Sequence, residues 1–383
     1  MEQNSVDPRP DYYLYWKQLE EHLTSTSNSI DAFFNGDLIY PRQFEIHLPG
    51  NHLSKCQLHC SHCGGKYFDH ALDRWEIKGL SLLDKLEGKI PYHIYGGAYT
   101  EPLMNPYFLA YIAMTKKYGN HFGIHTNGVA LKALIDNFGF AEELNRLATD
   151  ETDYLSVSLD AGLPTSWGKT KGTKNIHWFE EILSSLEACL EARKKYKPTH
   201  AIRLCYLISK HSGTTEDFAS IVNWAKDHQV DSLRFSIPFG NYNQSFEKIR
   251  QYKESIEIPL GTKYREMLAP YLSLSQNDKP YIFYTGPEFT DVDRFNFKQC
   301  IYGYYQITYG ADGYAYKCST VSTPTGKQCR LGKITDDVEE FNKIVLSNYN
   351  PNFDCEKMCF SKGLRCNRQG LEINTTYKRL QNG

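Results

Sequence analysis

The chain has no apolar run long enough to span a bilayer, and its first residues lack the apolar core of a secretory signal. Both absences point to a cytoplasmic protein with no membrane partner. Excess charge is also missing, since 43 Lys and Arg stand against 45 Asp and Glu. Reading nucleic-acid phosphate across a broad basic face takes a surplus of cations, so no nucleic-acid partner is expected. The one basic block, Arg193-Lys-Lys-Tyr-Lys197, reads as the solvated end of a helix.

Cysteine, by contrast, is plentiful, with 11 in 383 residues. In a cytoplasmic chain such thiols are metal ligands or reactive groups rather than a disulfide framework. Three fall in Cys56-Gln-Leu-His-Cys60-Ser-His-Cys63, directly before Gly64-Gly65. Cys189, in a helical pattern, and Cys205, in an apolar strand, read as small core residues. The other six lie between Cys300 and Cys366, a second station.

The length suits one large domain with an appendage, or two domains. Residues 12–23 carry apolar side chains at helical spacing and predict an amphipathic helix. From Arg42 onward, strand and helix patterns alternate. Strands are expected at 44–48, 92–95, 122–126, 154–159, 202–208 and 232–237, and helices at 81–86, 107–117, 131–147, 178–192 and 214–227. Thr214-Thr215-Glu216 is a cap signal for the last helix. Six strands alternating with helices predict an α/β fold with a parallel sheet and right-handed crossovers. Periodicity does not choose between an open doubly wound sheet and a barrel, but in both the chemistry sits at the C-terminal ends of the strands. From Phe239 to about Phe297 the alternation stops, and a connector with helices at 245–255 and 261–269 is expected.

Three thiolates at C-x3-C-x2-C spacing on one tight loop can hold three irons of a cubane 4Fe–4S cluster and leave the fourth open. Zinc is the bland alternative, because Cys60 and Cys63 alone are spaced like a zinc knuckle. The spacing resembles the signature of the radical S-adenosylmethionine superfamily, which usually has an aromatic residue before the last cysteine; His62 stands there. The resemblance implies a partial (β/α)6 TIM-like barrel. It also implies that the open iron binds the amine and carboxylate of S-adenosylmethionine. One-electron cleavage then gives a 5′-deoxyadenosyl radical that abstracts hydrogen from a substrate.

Further segments carry the same resemblance. Tyr95-Gly96-Gly97 leads to Glu101-Pro102 and is similar to the family's GGE segment, except that Ala98-Tyr99-Thr100 intervene. Either Glu101 or a carbonyl near Gly97 would then hold the methionine amine, and a plain strand-ending turn is the alternative. Thr126-Asn127-Gly128 is similar to a tripeptide found near the cofactor, and is also an ordinary Asn-Gly turn. Ser158 and Asp160 point the same way at a strand end, as residues for ribose hydroxyls or as caps of the core. Lys171-Gly172-Thr173 resembles the family's KGT loop, and a solvated loop would read alike. Arg203 lies among apolar residues and needs an anion, either the cofactor carboxylate or a structural Asp.

In the second station, strand-like runs at 305–309 and 314–317 flank Asp312-Gly313, a hairpin signal that could bring Cys300 and Cys318 together. Residues 337–346 read as a helix. Gly313 and Cys318 fit the Gly-x4-Cys half of the SPASM and twitch extensions, which bind auxiliary 4Fe–4S clusters. The second half departs from SPASM, with Cys355, Cys359 and Cys366 at C-x3-C-x6-C and no later cysteine. With only six cysteines, Cys329 included, the resemblance implies one auxiliary 4Fe–4S cluster. Its ligands would be Cys300, Cys318 and two of Cys355, Cys359 and Cys366. A second cluster with an open iron and a structural zinc site are the alternatives.

The expected domains are an N-terminal helical segment (1–40), the core (41–240), a connector (241–296) and a small cysteine-rich α+β auxiliary-cluster domain built on a β-hairpin and a helix (297–383). The expected function is hydrogen abstraction from a peptide during its maturation, with a flavodoxin or ferredoxin as reductant. The alternative substrate is a sugar or aminocyclitol, oxidised, epimerised or dehydrated. A non-enzymatic iron–sulfur or zinc protein is the reading from another class.

Overall fold

The computed structural model describes residues 36–50, 56–60, 62–63, 74–97, 100–149, 152–196, 200–238, 248, 251–275, 277–286, 305–319, 322 and 329–348. The helix expected at 12–23, and Cys300, Cys355, Cys359 and Cys366, lie outside these residues. The described residues fall into two compact units. One draws on Cys56–Cys63 and Gly123–Phe289, the other on Tyr13–Lys55, Gly64–Phe122 and Thr290–Gly383.

In the second of these units, β1 (Gln43–Ile46) pairs in parallel with β2 (Tyr92–Tyr95) and, on its other side, with β8 (Gln306–Tyr309). The strands β8, β9 (Tyr314–Tyr316) and β10 (Arg330–Lys333) follow as antiparallel neighbours. Gly313 makes the turn between β8 and β9 with φ +82°, as the Asp-Gly signal predicted. Among the described residues three α-helices belong here: α1 (Glu76–Leu86), α2 (Phe108–Lys117) and α9 (Val338–Asn348). Phe44 is the hub of the core, with ring centroids 4.6 Å from Tyr309 and 5.8 Å from Phe341 of α9. The parallel seating of β8 against β1 is a finding that local patterning did not foresee.

The other unit carries the strand order β3-β4-β5-β6-β7, with parallel pairing from each strand to the next. These strands are β3 (His121–Thr126, which begins in the preceding unit), β4 (Tyr154–Ser158), β5 (Ala201–Leu207), β6 (Ser232–Ser236) and β7 (Tyr281–Thr285). Its helices are α3 (Leu131–Phe138), α4 (Phe140–Leu147), α5 (Pro164–Lys171), α6 (His177–Tyr196), α7 (Thr215–His228) and α8 (Ile258–Leu268).

Side chains alternate across these strands. Leu155, Val157, Ile202, Leu204, Tyr206, Leu233 and Phe235 form a fully buried apolar face. There Phe218 of α7 meets Tyr206 and Phe235 at centroid distances of 5.8 and 5.5 Å. The opposite face is polar. The register aligns His125, Ser156, Arg203 and Ser232 in one layer, and Ser158, Cys205 and Arg234 in the next toward the C-terminal ends. The α/β class with a mostly parallel sheet is therefore borne out, and is consistent with the partial barrel.

Three local expectations change. The helix read at 131–147 is two helices, because Gly139 adopts φ +61° and closes α3 as it opens α4. Lys171 of the Lys171-Gly172-Thr173 segment is not loop but the last residue of α5. The connector contains β7, which continues the parallel order beside β6, and its helical segment includes a π turn, Lys253–Glu257.

Candidate functional site

The three cysteines of the opening motif lie on one loop, all half-exposed. Cys63 N–H donates to the Cys60 carbonyl at 3.0 Å, closing the turn between the last two thiols. The loop is fastened from outside by its backbone and by its side chains. His59 N–H donates to the Lys171 carbonyl at 2.9 Å. The Asn127 amide Nδ2 lies 3.1 Å from Cys56 Sγ and donates to it.

Asn127 sits just past β3, where the Thr126-Asn127-Gly128 turn is held by its own side chains. Thr126 Oγ1 accepts from Gly128 N–H at 2.9 Å, and Asn127 Oδ1 accepts from Val129 N–H at 2.9 Å. Gly128 is required there, with φ +83° and Ile182 Cγ2 only 2.9 Å from where a Cβ would stand.

Below the loop, Lys171 is buried and its ammonium pairs with Asp160 Oδ2 at 2.5 Å while donating to the Ser158 carbonyl at 2.6 Å. Asp160 has φ +63°, and its second oxygen accepts from Leu207 N–H at 2.8 Å. Both carboxylate oxygens are thus engaged inside the protein. Burial pushes the Lys171 ammonium toward losing its proton, but the charges of Asp160 and Cys60 outweigh it and hold the pKa above the ordinary lysine value. Burial pushes the Cys60 thiol up to about 11, with Lys171 working against it. Metal binding therefore has to displace a proton from Cys60.

Lys171 reaches this place because α5 ends there. Pro164 occupies the first turn of α5, and Gly172 closes the helix at φ +64°. A Cβ on Gly172 would stand 2.3 Å from the His59 carbonyl oxygen. The start of α5 is tied to α7, since Asp217 Oδ1 accepts from Gly162 N–H and Leu163 N–H at 2.9 and 3.2 Å and from the Ser166 hydroxyl. Thr214 caps α7 as expected, its Oγ1 accepting from Asp217 N–H at 3.1 Å. Sequence reading noted Lys171 only within the Lys171-Gly172-Thr173 resemblance and gave it no role at the site. The signal that could have found it is Pro164 and Gly172 bracketing one short helix.

The remaining candidates lie as follows. His62 is exposed between Cys60 and Cys63. Arg203 is 1% exposed, its guanidinium stacked 3.9 Å over the ring of Tyr154, which bonds His125 at 2.8 Å. In the other unit, Gly96 and Gly97 follow β2, and Gly97 has φ +146°. A Cβ there would meet Thr100 Oγ1 at 2.7 Å and the His47 ring at 2.9 Å. Glu101 is buried, with Oε1 accepting from Leu103 N–H at 3.2 Å at the start of a short 3-10 turn. Cys318 and Cys329 are both buried. Ala98 and Tyr99 lie outside the described residues.

The donor set suits a 4Fe–4S cluster. Three soft thiols share one loop, and a cubane takes each thiolate on a separate iron, so the sulfurs need not converge on one point. Among the described residues no three His, Cys, Asp or Glu side chains do converge so. At Gly97 the missing side chain lets the backbone pass close to His47 and to the buried Thr100 hydroxyl, which has no hydrogen-bond partner and could meet a small polar group of S-adenosylmethionine.

Residues 51–225 match the radical SAM superfamily. Among solved structures the chain is similar to Streptococcus suis SuiB bound to precursor peptide SuiA, at 11% identity and a TM-score of 0.55, over 94% of this chain and 78% of that one. SuiB bound to S-adenosylmethionine gives 12% identity and a TM-score of 0.51, over 90% and 76% of the two chains. Native anSMEcpe with bound AdoMet gives 17% identity and a TM-score of 0.51, over 89% and 96%. At these identities the likeness speaks for the fold. No curated protein matches the sequence.

Proposed function

From the match of residues 51–225 to the radical SAM superfamily, we propose that the chain is a radical SAM enzyme, that Cys56, Cys60 and Cys63 ligate its 4Fe–4S cluster and that its substrate is a peptide. The three-thiol loop carries the reading, because it is pinned at His59 and Cys56 by neighbours of the same unit. When bound and reduced, the cluster supplies the electron that cleaves S-adenosylmethionine to a 5′-deoxyadenosyl radical.

The chain's own residues bind, orient and exclude water. Asn127 fixes the Cys56 side chain. Thr126 shapes the turn that presents Asn127, and Lys171 with Asp160 supports the loop from below. His62, beside Cys63, takes the place before the last thiol. Ser158 is assigned to ribose and Arg203 to the cofactor carboxylate, both on the polar face of the strands. Gly96, Gly97 and Glu101 are assigned to the methionine amine. Residues 297–383 are assigned to an auxiliary 4Fe–4S cluster held by Cys300, Cys318 and two of Cys355, Cys359 and Cys366. A flavodoxin or ferredoxin supplies the electron. The peptide assignment is supported by the likeness to SuiB, solved with its precursor peptide. A sugar or aminocyclitol remains the second substrate class and lacks such support.

The test is anaerobic reconstitution with iron and sulfide, reduction with S-adenosylmethionine, and chromatography for 5′-deoxyadenosine. Release is expected from the wild type and not from the triple Cys56→Ala, Cys60→Ala, Cys63→Ala variant, which should keep any auxiliary iron. Cleavage by the triple variant would overturn the ligand assignment.

A further inference from the structure

Lys171 stands out among the buried charges because the chain spends so much structure on placing it. Its side chain is 2% exposed and its ammonium is paired with Asp160, itself fixed by Leu207 N–H. Its carbonyl receives His59 N–H, one residue before Cys60, and Gly172 lets the two backbones approach so closely that no Cβ fits. A buried cation is costly unless it is answered by negative charge. Asp160 answers it, and the loop that carries the three thiols is bonded to the same helix end through His59 N–H.

Building on the cluster assignment made above, we propose that Lys171 is a positioning and charge-tuning residue of the Cys56–Cys60–Cys63 site. Its backbone holds the loop in place, and its ammonium favours the reduced cluster by offsetting the added negative charge. Reduction adds one electron to a group already ligated by three thiolates, so a fixed cation in a dry setting raises the potential.

Side-chain substitution leaves the bond from His59 N–H to the Lys171 carbonyl in place, which separates charge from loop anchoring. The measurement is a potentiometric titration of the reconstituted holoenzyme followed by electron paramagnetic resonance, with iron counted on each sample. The signal that changes on adding S-adenosylmethionine identifies this cluster against any auxiliary one. Lys171→Met is expected to lower the reduced-to-oxidised ratio at fixed potential about tenfold, which for one electron corresponds to about 59 mV. Lys171→Arg should restore the wild-type value.

Because Lys171→Met leaves Asp160 buried without its cation, a Lys171→Met, Asp160→Asn variant is measured beside it. It too should shift negative, by less. Wild-type potential in either Met variant at full iron content would overturn the proposal. A wild type lacking an S-adenosylmethionine-sensitive signal would instead sink the cluster assignment on which it rests.

Discussion

Gly172 shows how much can depend on a missing side chain. Its backbone is left-handed and lies against the His59 carbonyl, so an alanine there meets both a conformational and a steric penalty. The left-handed conformation alone costs roughly 1–2 kcal/mol for a residue with a Cβ. Gly172→Ala should therefore lower the melting temperature and deplete iron from the opening site. Iron analysis beside a thermal melt checks this, and full iron content would show that the loop can retreat from α5. Gly36 offers the contrast: it too has positive φ, at +79°, but has nothing within 4 Å of a Cβ, so Gly36→Ala should leave iron unaffected.

At the scale of elements, the pairing of β2 with α2 carries a pH dependence. His93 is fully buried and bonds the Thr115 hydroxyl at 2.9 Å, and Tyr95 OH bonds the same hydroxyl at 2.5 Å. Burial pushes the His93 pKa down to about 4. An unfolded-chain histidine takes up its proton near pH 6.5, so between the two values the unfolded state holds more protons. Stability is complete above about pH 6.5 and falls as pH drops toward 4, by at most roughly 3 kcal/mol from this ring. His200, likewise pushed down to about 4 by burial, acts in the same window. Urea melts at pH 7 and pH 4.5 should show His93→Phe losing less stability than the wild type; equal losses would place the dependence elsewhere.

In the other unit, α7 meets the sheet through an aromatic contact at Phe218. Phe218→Ala, which empties the space between Tyr206, Phe235 and Tyr264, should cost about 3–5 kcal/mol in the same assay. A loss below about 1 kcal/mol would mean that α7 does not depend on this ring.

For the whole molecule, metal binding and folding are coupled, because ligand that binds only the folded state stabilises it in proportion to the logarithm of its concentration over Kd. Anaerobic loading with iron and sulfide should raise the melting temperature, and the triple cysteine variant should show a smaller rise. An unchanged melting temperature on loading would mean that the loop does not fold around its metal. Among the described residues no helix is long and apolar enough to cross a membrane.

Much of this was legible in the sequence because it is local. The spacing of Cys56, Cys60 and Cys63 fixes three thiols on one loop whatever surrounds them. Strand and helix periods along residues 92–237 are set by which side chains must leave water, and the strands formed within a residue or two of expectation. The Asp312-Gly313 turn followed from backbone sterics.

Only the tertiary structure decided the rest. Lys171 in a run of Lys, Gly and Thr reads as solvated, and becomes buried because α5 is tied to α7 and Asp160 waits in a left-handed turn. β7 follows a polar stretch and is a strand because β6 offers it an edge. β8 lies parallel to β1, more than 250 residues away in the chain, because Tyr309 finds Phe44 there. Local spacing is written residue by residue, whereas partners distant along the chain are selected by packing, and packing exists only once the chain has folded.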